Sequence, residues 1–247
     1  MKRLIVLCLA IFAIGHLFAA TYNEANALYA TEKYAEAIDA YEQLVATGYA
    51  SADLYYNLGN AYYRTGQLGL SVLNYERALR LEPDNDDVRH NLEFVRRQTV
   101  DRIDVISPVF FVGWWRAVRN WFSPDTWAWT CVVCFALLLV MLGLYFFSRR
   151  LIVRKVGFTI AIVALVFTMI AFCLAAQAKS AALDTTQAII CQPTVTLKSS
   201  PDRSGTDLFL LHEGTKVVIK DALGEWVEVS IDNGNTGWLP AVSIVQI

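Results

Sequence analysis

The spacing of hydrophobic residues divides the chain into four kinds of segment. A short apolar run, residues 4–18, precedes a stretch in which apolar residues recur at helical spacing. Two long uncharged runs follow, at 127–147 and 156–176, and the last part of the chain has short apolar runs between turn signals. The pattern predicts a multidomain membrane protein with an all-α helical repeat module, a two-helix transmembrane hairpin and a small all-β domain.

The helical stretch repeats itself with a period of about 34 residues. The second unit reads ADLYYNLGNAYYRTGQLGLSVLNYERALRLEPDN. Small residues at Gly59 and Ser71 would let two antiparallel helices cross closely, and Pro83 would end the second helix. This unit resembles the tetratricopeptide (TPR) repeat, while the first unit matches it less closely. A final helix at 86–99 is expected to cap the array.

The resemblance implies that the first helix of each unit lines a concave surface that binds protein segments. Asparagine amides can pair with a peptide backbone, and aromatic rings offer flat contact area. The alternative is that some of these tyrosines only fill the core. The surface predicted in this way comprises Tyr22, Asn26, Tyr29, Tyr56, Asn57, Asn60, Tyr63, Arg64, His90, Asn91, Phe94 and Arg97.

The C-terminal residues 188–247 have apolar runs at β spacing, separated by Gly, Asn, Asp and Pro turns. Strands are expected at 188–197, 207–211, 216–220, 226–231, 237–239 and 243–246. The order of these runs, with Trp226 and Trp238, resembles bacterial SH3-like (SH3b) domains, which implies a small barrel. The two tryptophans are candidates for a ligand groove, although core packing is the expected role of at least one.

Charge and aromatic residues predict how the apolar segments meet the membrane. A basic start and the apolar run at 4–18 are typical of a signal peptide. The short segment 148–155 carries Arg149, Arg150, Arg154 and Lys155, and short basic loops stay in the cytoplasm, which would leave both flanks outside. A helix at 107–122 is expected to lie in the membrane interface, and the predicted aromatic belt comprises Trp114, Trp115, Trp121, Trp127 and Trp129. The alternative is a helix that covers the end of the repeat array.

Composition excludes several functions. The net charge of −2 offers no basic field for nucleic acid. The sequence has no phosphate-binding glycine loop, no metal-spaced His/Cys cluster and no nucleophile–base set, so we expect neither enzymatic activity nor a cofactor or metal. Cys131 and Cys134 form a Cys-x-x-Cys, a spacing that redox relays use, but their apolar surroundings favour packing.

The order of these parts resembles the BatE family of the Bacteroides aerotolerance operon. The predicted domains are a signal peptide (1–20), a TPR module (21–100, with units 18–51 and 52–85 and a capping helix 86–99), a linker with the interfacial helix (101–126), transmembrane helices 127–147 and 156–176 around a cytoplasmic loop (148–155), a linker (177–187) and an SH3-like domain (188–247).

The basic loop and the signal peptide together predict a place in the bacterial inner membrane with both folded ends in the periplasm. The resemblance implies protein partners, namely VWA-domain membrane proteins, another TPR protein and a MoxR-type ATPase, and a role in aerotolerance or stress. We expect a non-enzymatic scaffold. The alternatives are a peptidoglycan-binding sensor that uses the SH3-like domain and, more distantly, the thiol relay.

Overall fold

The fold was analysed in a computed structural model that describes residues 21–101 and 110–247. The chain divides into two compact units. One contains the N-terminal helices together with the C-terminal sheet, and the other contains the long apolar helices. The predicted signal peptide and residues 102–109 of the predicted linker lie outside the described residues.

Five helices form the N-terminal half of the first unit. Side-chain caps begin two of them: the Ser51 hydroxyl accepts a hydrogen bond from the Leu54 N–H, and the Asn85 amide oxygen accepts one from the Val88 N–H. The helices are α1 (residues 21–30), α2 (Tyr34–Ala46), α3 (Ala52–Arg64), α4 (Leu68–Leu81) and α5 (Asp86–Arg96). The segment predicted as a capping helix at 86–99 forms a helix that ends earlier, at Arg96.

Close helix crossing explains the small residues of the second repeat. A Cβ built on Gly59 would lie 2.9 Å from two ring carbons of Tyr75, so no larger residue fits without movement. The Ser71 hydroxyl donates to the Gly59 carbonyl at 2.9 Å across the same contact. Tyr41 and Tyr75 occupy equivalent places in the two units, and both are fully buried.

The C-terminal part forms one antiparallel sheet in the order β3-β2-β6-β5-β4-β1-β7. Its core is aliphatic, because inward side chains such as Val227, Val229 and Leu239 alternate with outward polar ones. The segment predicted as one strand, 188–197, is two strands separated at Pro193. The strands are β1 (Gln187–Ile190), β2 (Thr194–Lys198), β3 (Asp207–His212), β4 (Lys216–Leu223), β5 (Trp226–Ile231), β6 (Thr236–Pro240) and β7 (Ile244–Gln246).

The helices and the sheet share a hydrophobic core, whereas the sequence pattern predicted two separate modules. Ile189 of β1 is fully buried in one cluster with Val72, Leu92 and Val95 of the helices. Cys191 and the C-terminal residues Val245 and Ile247 pack against the same cluster. The sheet thus covers the apolar flank of α4 and α5 that a further repeat would otherwise cover.

Polar contacts surround this shared core. The Glu76 carboxylate pairs with Lys216 at 2.7 Å and also with Arg96. The Glu213 carboxylate accepts a hydrogen bond from the Gly69 N–H at 2.9 Å. The Glu76 side chain is only 11% exposed, and its two basic partners keep the charge of this carboxylate paired at the junction of helices and sheet.

The Asp101 carboxylate adds further polar contacts between the helical segment and the sheet. It accepts hydrogen bonds from the His212 N–H, the His212 ring and the Thr215 hydroxyl, each at 2.7 Å. Burial opposes ionisation of Asp101, but the hydrogen bonds from Thr215 and His212 outweigh it and lower the pKa of this carboxyl.

The second unit is a helical hairpin with a short helix before it. It consists of α6 (Phe110–Arg119), α7 (Pro124–Phe147) and α8 (Leu151–Ala182). Both α7 and α8 are long and apolar enough to cross a membrane. Small residues of α8, including Gly157, Ala161 and Ala164, are buried against α7 and let the two helices approach closely.

Two predicted boundaries of the hairpin differ from the structure. The helix α8 already begins at Leu151, so Arg154 and Lys155 lie in its first turns and not in the predicted loop at 148–155. The same helix continues to Ala182, well into the predicted linker at 177–187. Helical propensity explains both shifts. Residues such as Leu, Ala, Gln, Lys and Arg favour the helix, so it extends beyond the apolar run at both ends.

Candidate functional site

A repeated network of asparagines joins the first helices of the repeats, α1, α3 and α5. The Asn26 amide oxygen accepts hydrogen bonds from the Tyr41 hydroxyl at 2.6 Å and from the Asn57 amide at 3.0 Å. One repeat later, the Asn60 oxygen accepts from the Tyr75 hydroxyl at 2.6 Å and from the Asn91 amide at 3.1 Å. We call these four residues, Asn26, Asn57, Asn60 and Asn91, the asparagine ladder.

Tyrosine hydroxyls flank the ladder with the same repeat geometry. The Asn57 amide donates to the Tyr22 hydroxyl at 2.8 Å, and the Asn91 amide donates to the Tyr56 hydroxyl at 3.2 Å. Burial raises the pKa of Tyr22, with smaller contributions from its neighbours. The ladder and its tyrosines therefore form a neutral surface whose side chains hold one another in position.

The remaining predicted residues of this face are more accessible. Phe94 is 49% exposed and packs edge-to-face on Tyr63 with a ring-centroid distance of 5.7 Å. The Arg64 guanidinium lies 4.5 Å from the centroid of the Tyr34 ring, a cation–π contact. Tyr29 is half-buried, while Arg64, His90 and Arg97 are exposed. We call the surface formed by the predicted residues of α1, α3 and α5 the aromatic face.

Two residues outside the predicted set contact this face. Gln98 donates its amide hydrogen to the Tyr63 hydroxyl at 3.2 Å, and Tyr34 holds Arg64. The spacing of 35 residues from Tyr63 to Gln98 equals that from Tyr22 to Asn57 and from Tyr56 to Asn91. Continuing the 35-residue spacing past the second repeat would therefore have predicted that Gln98 contacts Tyr63.

The tryptophans of the sheet lie on its outer face. Trp226 and Trp238 are half-buried and alternate along their strands with residues of the sheet core, so neither is part of that core. Trp226 pairs in register with Pro240, and Trp238 pairs with Glu228. A pocket of about 560 Å³ adjoins Trp226 and is lined by Gln192, Arg203, Glu225, Pro240, Ala241, Val242 and Ser243.

The tryptophans of the second unit fall into two groups. Trp114, Trp121 and Trp129 are exposed. Trp115 and Trp127 instead pack against the last part of α8, in a cluster with Ala171, Leu174 and Ala178. The tryptophans predicted to share one membrane-facing surface of the helix at 107–122 therefore do not all lie on one exposed face. The Trp115 indole faces α8, where it donates a hydrogen bond to Gln177 at 2.7 Å.

The hairpin carries two predicted groups of residues, namely the basic residues expected to set the membrane topology and the two cysteines of the Cys-x-x-Cys. Arg149, Arg150, Arg154 and Lys155 are all exposed around the connection between α7 and α8. Cys131 and Cys134 are free thiols on α7, and the Cys131 thiol contacts the Thr168 carbonyl at 3.7 Å. Groups of three or more His, Cys, Asp or Glu suited to a metal ion are absent from the residues that the structure describes.

Comparison with known families places the helical part in a protein class. The tetratricopeptide repeat model matches residues 22–86, which include α2, α3 and α4. The protein therefore contains TPR repeats, which are protein-interaction modules without catalytic chemistry of their own. A comparison with curated proteins gives no match.

Proposed function

We propose that the protein is a non-enzymatic membrane scaffold that holds an extended segment of a partner protein on its aromatic face. The observation that carries this proposal is the asparagine ladder, whose side chains are engaged with one another across three helices. A face fixed in this way loses little side-chain entropy on binding, which favours affinity. The exposed Phe94, Arg64 and His90 would then make the contacts that distinguish one partner from another.

The hairpin would anchor this unit to the bacterial inner membrane. The length and apolar character of α7 and α8 support two spans, and the exposed arginines between them favour a cytoplasmic turn. The helical repeats and the sheet would then both lie in the periplasm. A signal peptide at residues 1–20 would direct the export of the N-terminal part across the membrane.

The particular complex is proposed from resemblance. The order of TPR repeats, apolar hairpin and small β domain resembles the BatE family, which would make the sheet an SH3-like domain. Partners would then be VWA-domain membrane proteins, a further TPR protein and a MoxR-type ATPase, in an aerotolerance or stress-related assembly. Residues 204–217, which include β3 and the β3–β4 turn, belong to the part of the chain on which this resemblance rests.

Site-specific photocrosslinking of the full chain in native membranes tests the binding face. A photoreactive amino acid at His90 or Phe94 should capture a defined partner that mass spectrometry identifies. The same probe at Glu36 or Asp39, exposed on α2, provides the matched control. Equal capture from both sets of positions, or none from the aromatic face, would contradict the proposed binding surface.

Topology is tested separately by reporter fusions. Alkaline phosphatase fused after Ile247 should be active, because that enzyme folds only outside the cytoplasm. A reporter inserted between Arg149 and Arg150 should behave as cytoplasmic. Reversal of this pattern would leave the binding face intact as a proposal but would place it in the cytosol.

A peptidoglycan-binding sensor is the second candidate, and the pocket beside Trp226 favours it. The pocket combines an indole with Arg203, Glu225 and Gln192, a mixture suited to sugars or short peptides. Detergent-solubilised full chain should then sediment with purified peptidoglycan in a saturable manner, and Trp226→Ala should abolish the sedimentation. Trp238→Ala, on the same sheet face but outside the pocket lining, is the control.

A further inference from the structure

The helix α6 and the turn after it expose a large aromatic surface. Phe110, Phe111 and Trp114 are between 56% and 76% exposed, and Trp121 is 62% exposed. So many large apolar rings at one place are rare on a surface that meets only water. In a protein anchored by α7 and α8, the surroundings that match this surface are the lipid headgroup region, where aromatic side chains concentrate.

Two arginines lie on the same short helix. Arg116 and Arg119 are one helical turn apart, so their side chains are neighbours on the helix surface. Burial, and then the positive charge of Arg116, lower the pKa of Arg119. None of the ion pairs found among residues 21–101 and 110–247 includes either arginine.

The arginine pair is attached to rigid surroundings. The Trp127 indole donates to the Arg119 carbonyl at 2.9 Å, and Trp127 is only 9% exposed. The Trp115 indole donates to Gln177 of α8 at 2.7 Å, and Val118 packs beside it. Because α6 is held to the start of α7 and to the end of α8, the backbone that carries Arg116 and Arg119 keeps a defined position.

We propose that Arg116 and Arg119 form a binding site for the headgroup of an anionic phospholipid, at the membrane surface where α7 begins. Guanidinium groups bind phosphate oxygens in a bidentate manner, and two adjacent ones favour a headgroup with net negative charge over a zwitterionic one. The exposed rings of Phe110, Phe111 and Trp114 would lie among the upper acyl carbons of the same lipid. This inference rests on the proposed membrane anchoring.

The test uses the full chain reconstituted in phosphatidylcholine nanodiscs that contain a minor fraction of photoreactive phosphatidylglycerol. Crosslinked peptides from α6 are quantified beside peptides from the arginine-rich segment 148–155, which serves as an internal control. Excess unlabelled phosphatidylglycerol should compete at α6 about 25-fold better than phosphatidylcholine, since each basic residue at an anionic surface contributes about fivefold.

Three double variants test whether the lipid preference at α6 depends on the two arginines. Arg116→Gln with Arg119→Gln should abolish the lipid preference at α6 and leave crosslinking at 148–155 unchanged. Arg116→Lys with Arg119→Lys should keep part of the preference, because the charge remains without the planar fork. Lys33→Gln with Lys220→Gln, both exposed in the first unit, removes the same charge and should change neither segment.

The outcomes separate the lipid site from the membrane anchor. Equal competition by the two lipids at α6, competition by inorganic phosphate alone, or a preference that survives in the glutamine variant would overturn the site. In each of these cases, continued crosslinking at 148–155 would leave the anchor standing. Crosslinking at neither segment, together with release of the protein by alkaline carbonate, would overturn both.

Discussion

Truncation of Ile189 distinguishes one shared folding unit from two independent modules. Ile189 and Ile190 are adjacent in β1 and both fully buried, yet they belong to different clusters. Ile190 faces the core of the sheet, whereas Ile189 packs with Val72, Leu92 and Val95 of the helices. If the modules were independent, Ile189 would lie on the surface of the sheet and only Ile190 would be buried.

The expected loss in the free energy of unfolding follows from the atoms that the substitution removes. Ile189→Ala deletes three carbons from a fully buried site, and each buried methylene contributes about 0.8 kcal/mol. The cavity left behind adds to this transfer cost, so we expect a loss of about 3 to 4 kcal/mol, within the range for such truncations. Ile190→Ala should cost a similar amount. Truncation of a surface residue, by contrast, usually changes stability by less than about 0.5 kcal/mol.

Hydrogen exchange of the full chain measures the amide protection of the helices and of the sheet separately. In Ile189→Ala, amide protection should fall in α4 and α5 as well as in β1, because the two parts share one cluster. Urea denaturation, followed by the same peptides, gives the free energy of unfolding. Unchanged protection of α4 and α5, with a cost below about 0.5 kcal/mol for Ile189→Ala, would refute the shared core.

Three further predictions concern the helices and their junction with the sheet. Asn60→Leu removes the acceptor shared by Tyr75 and Asn91, and thermal denaturation should show a loss of about 1 to 3 kcal/mol. Gly59→Ala forces a Cβ to within 2.9 Å of the buried Tyr75 ring and should cost about 1 to 3 kcal/mol in the same assay, whereas Gly143→Ala, with open space around it, should be near neutral. The folded-state pKa of Asp101 lies below its ordinary value of 3.8, so its stabilising effect is present above that pH and is lost as the pH falls through the lower folded value. Asp101→Asn should therefore flatten the acid side of a stability-against-pH curve, and an unchanged slope would contradict the carboxylate's role.

The repeats could be predicted from the sequence because their physics is local. The spacing of Gly59, Ser71 and Tyr75 is dictated by the crossing of two neighbouring helices, and the contacts in the structure are the ones that the spacing required. The two apolar helices were predictable for a similar reason, since length and the absence of charge are properties of each segment by itself.

The asparagine ladder shows where such reasoning ends. The sequence places Asn26, Asn57, Asn60 and Asn91 on the first helices of the repeats, but an amide can bond to a peptide or to another side chain equally well. Only the packing of α1, α3 and α5 brings the amides within 3.1 Å of each other. The junction with the sheet had one signal in the sequence, because Ala188-Ile189-Ile190-Cys191 has no polar face, as expected of a strand covered on both sides.

The shared core has a consequence for how the chain is assembled. The chain leaves the first unit beyond Asp101, which is bonded to Thr215, and returns at Thr186, whose carbonyl accepts from the Ile219 N–H at 2.6 Å. Thr215 and Ile219 are four positions apart along the chain at the start of β4, a distance of roughly 13 Å. The hairpin is therefore an insertion within one compact unit and not a tether between two. Until residues 187–247 have been made and have joined the helices, the apolar flank formed by Val72, Leu92 and Val95 lacks its cover. Because the hairpin lies between the two parts of this unit in the chain, the unit is complete only after the hairpin has been made.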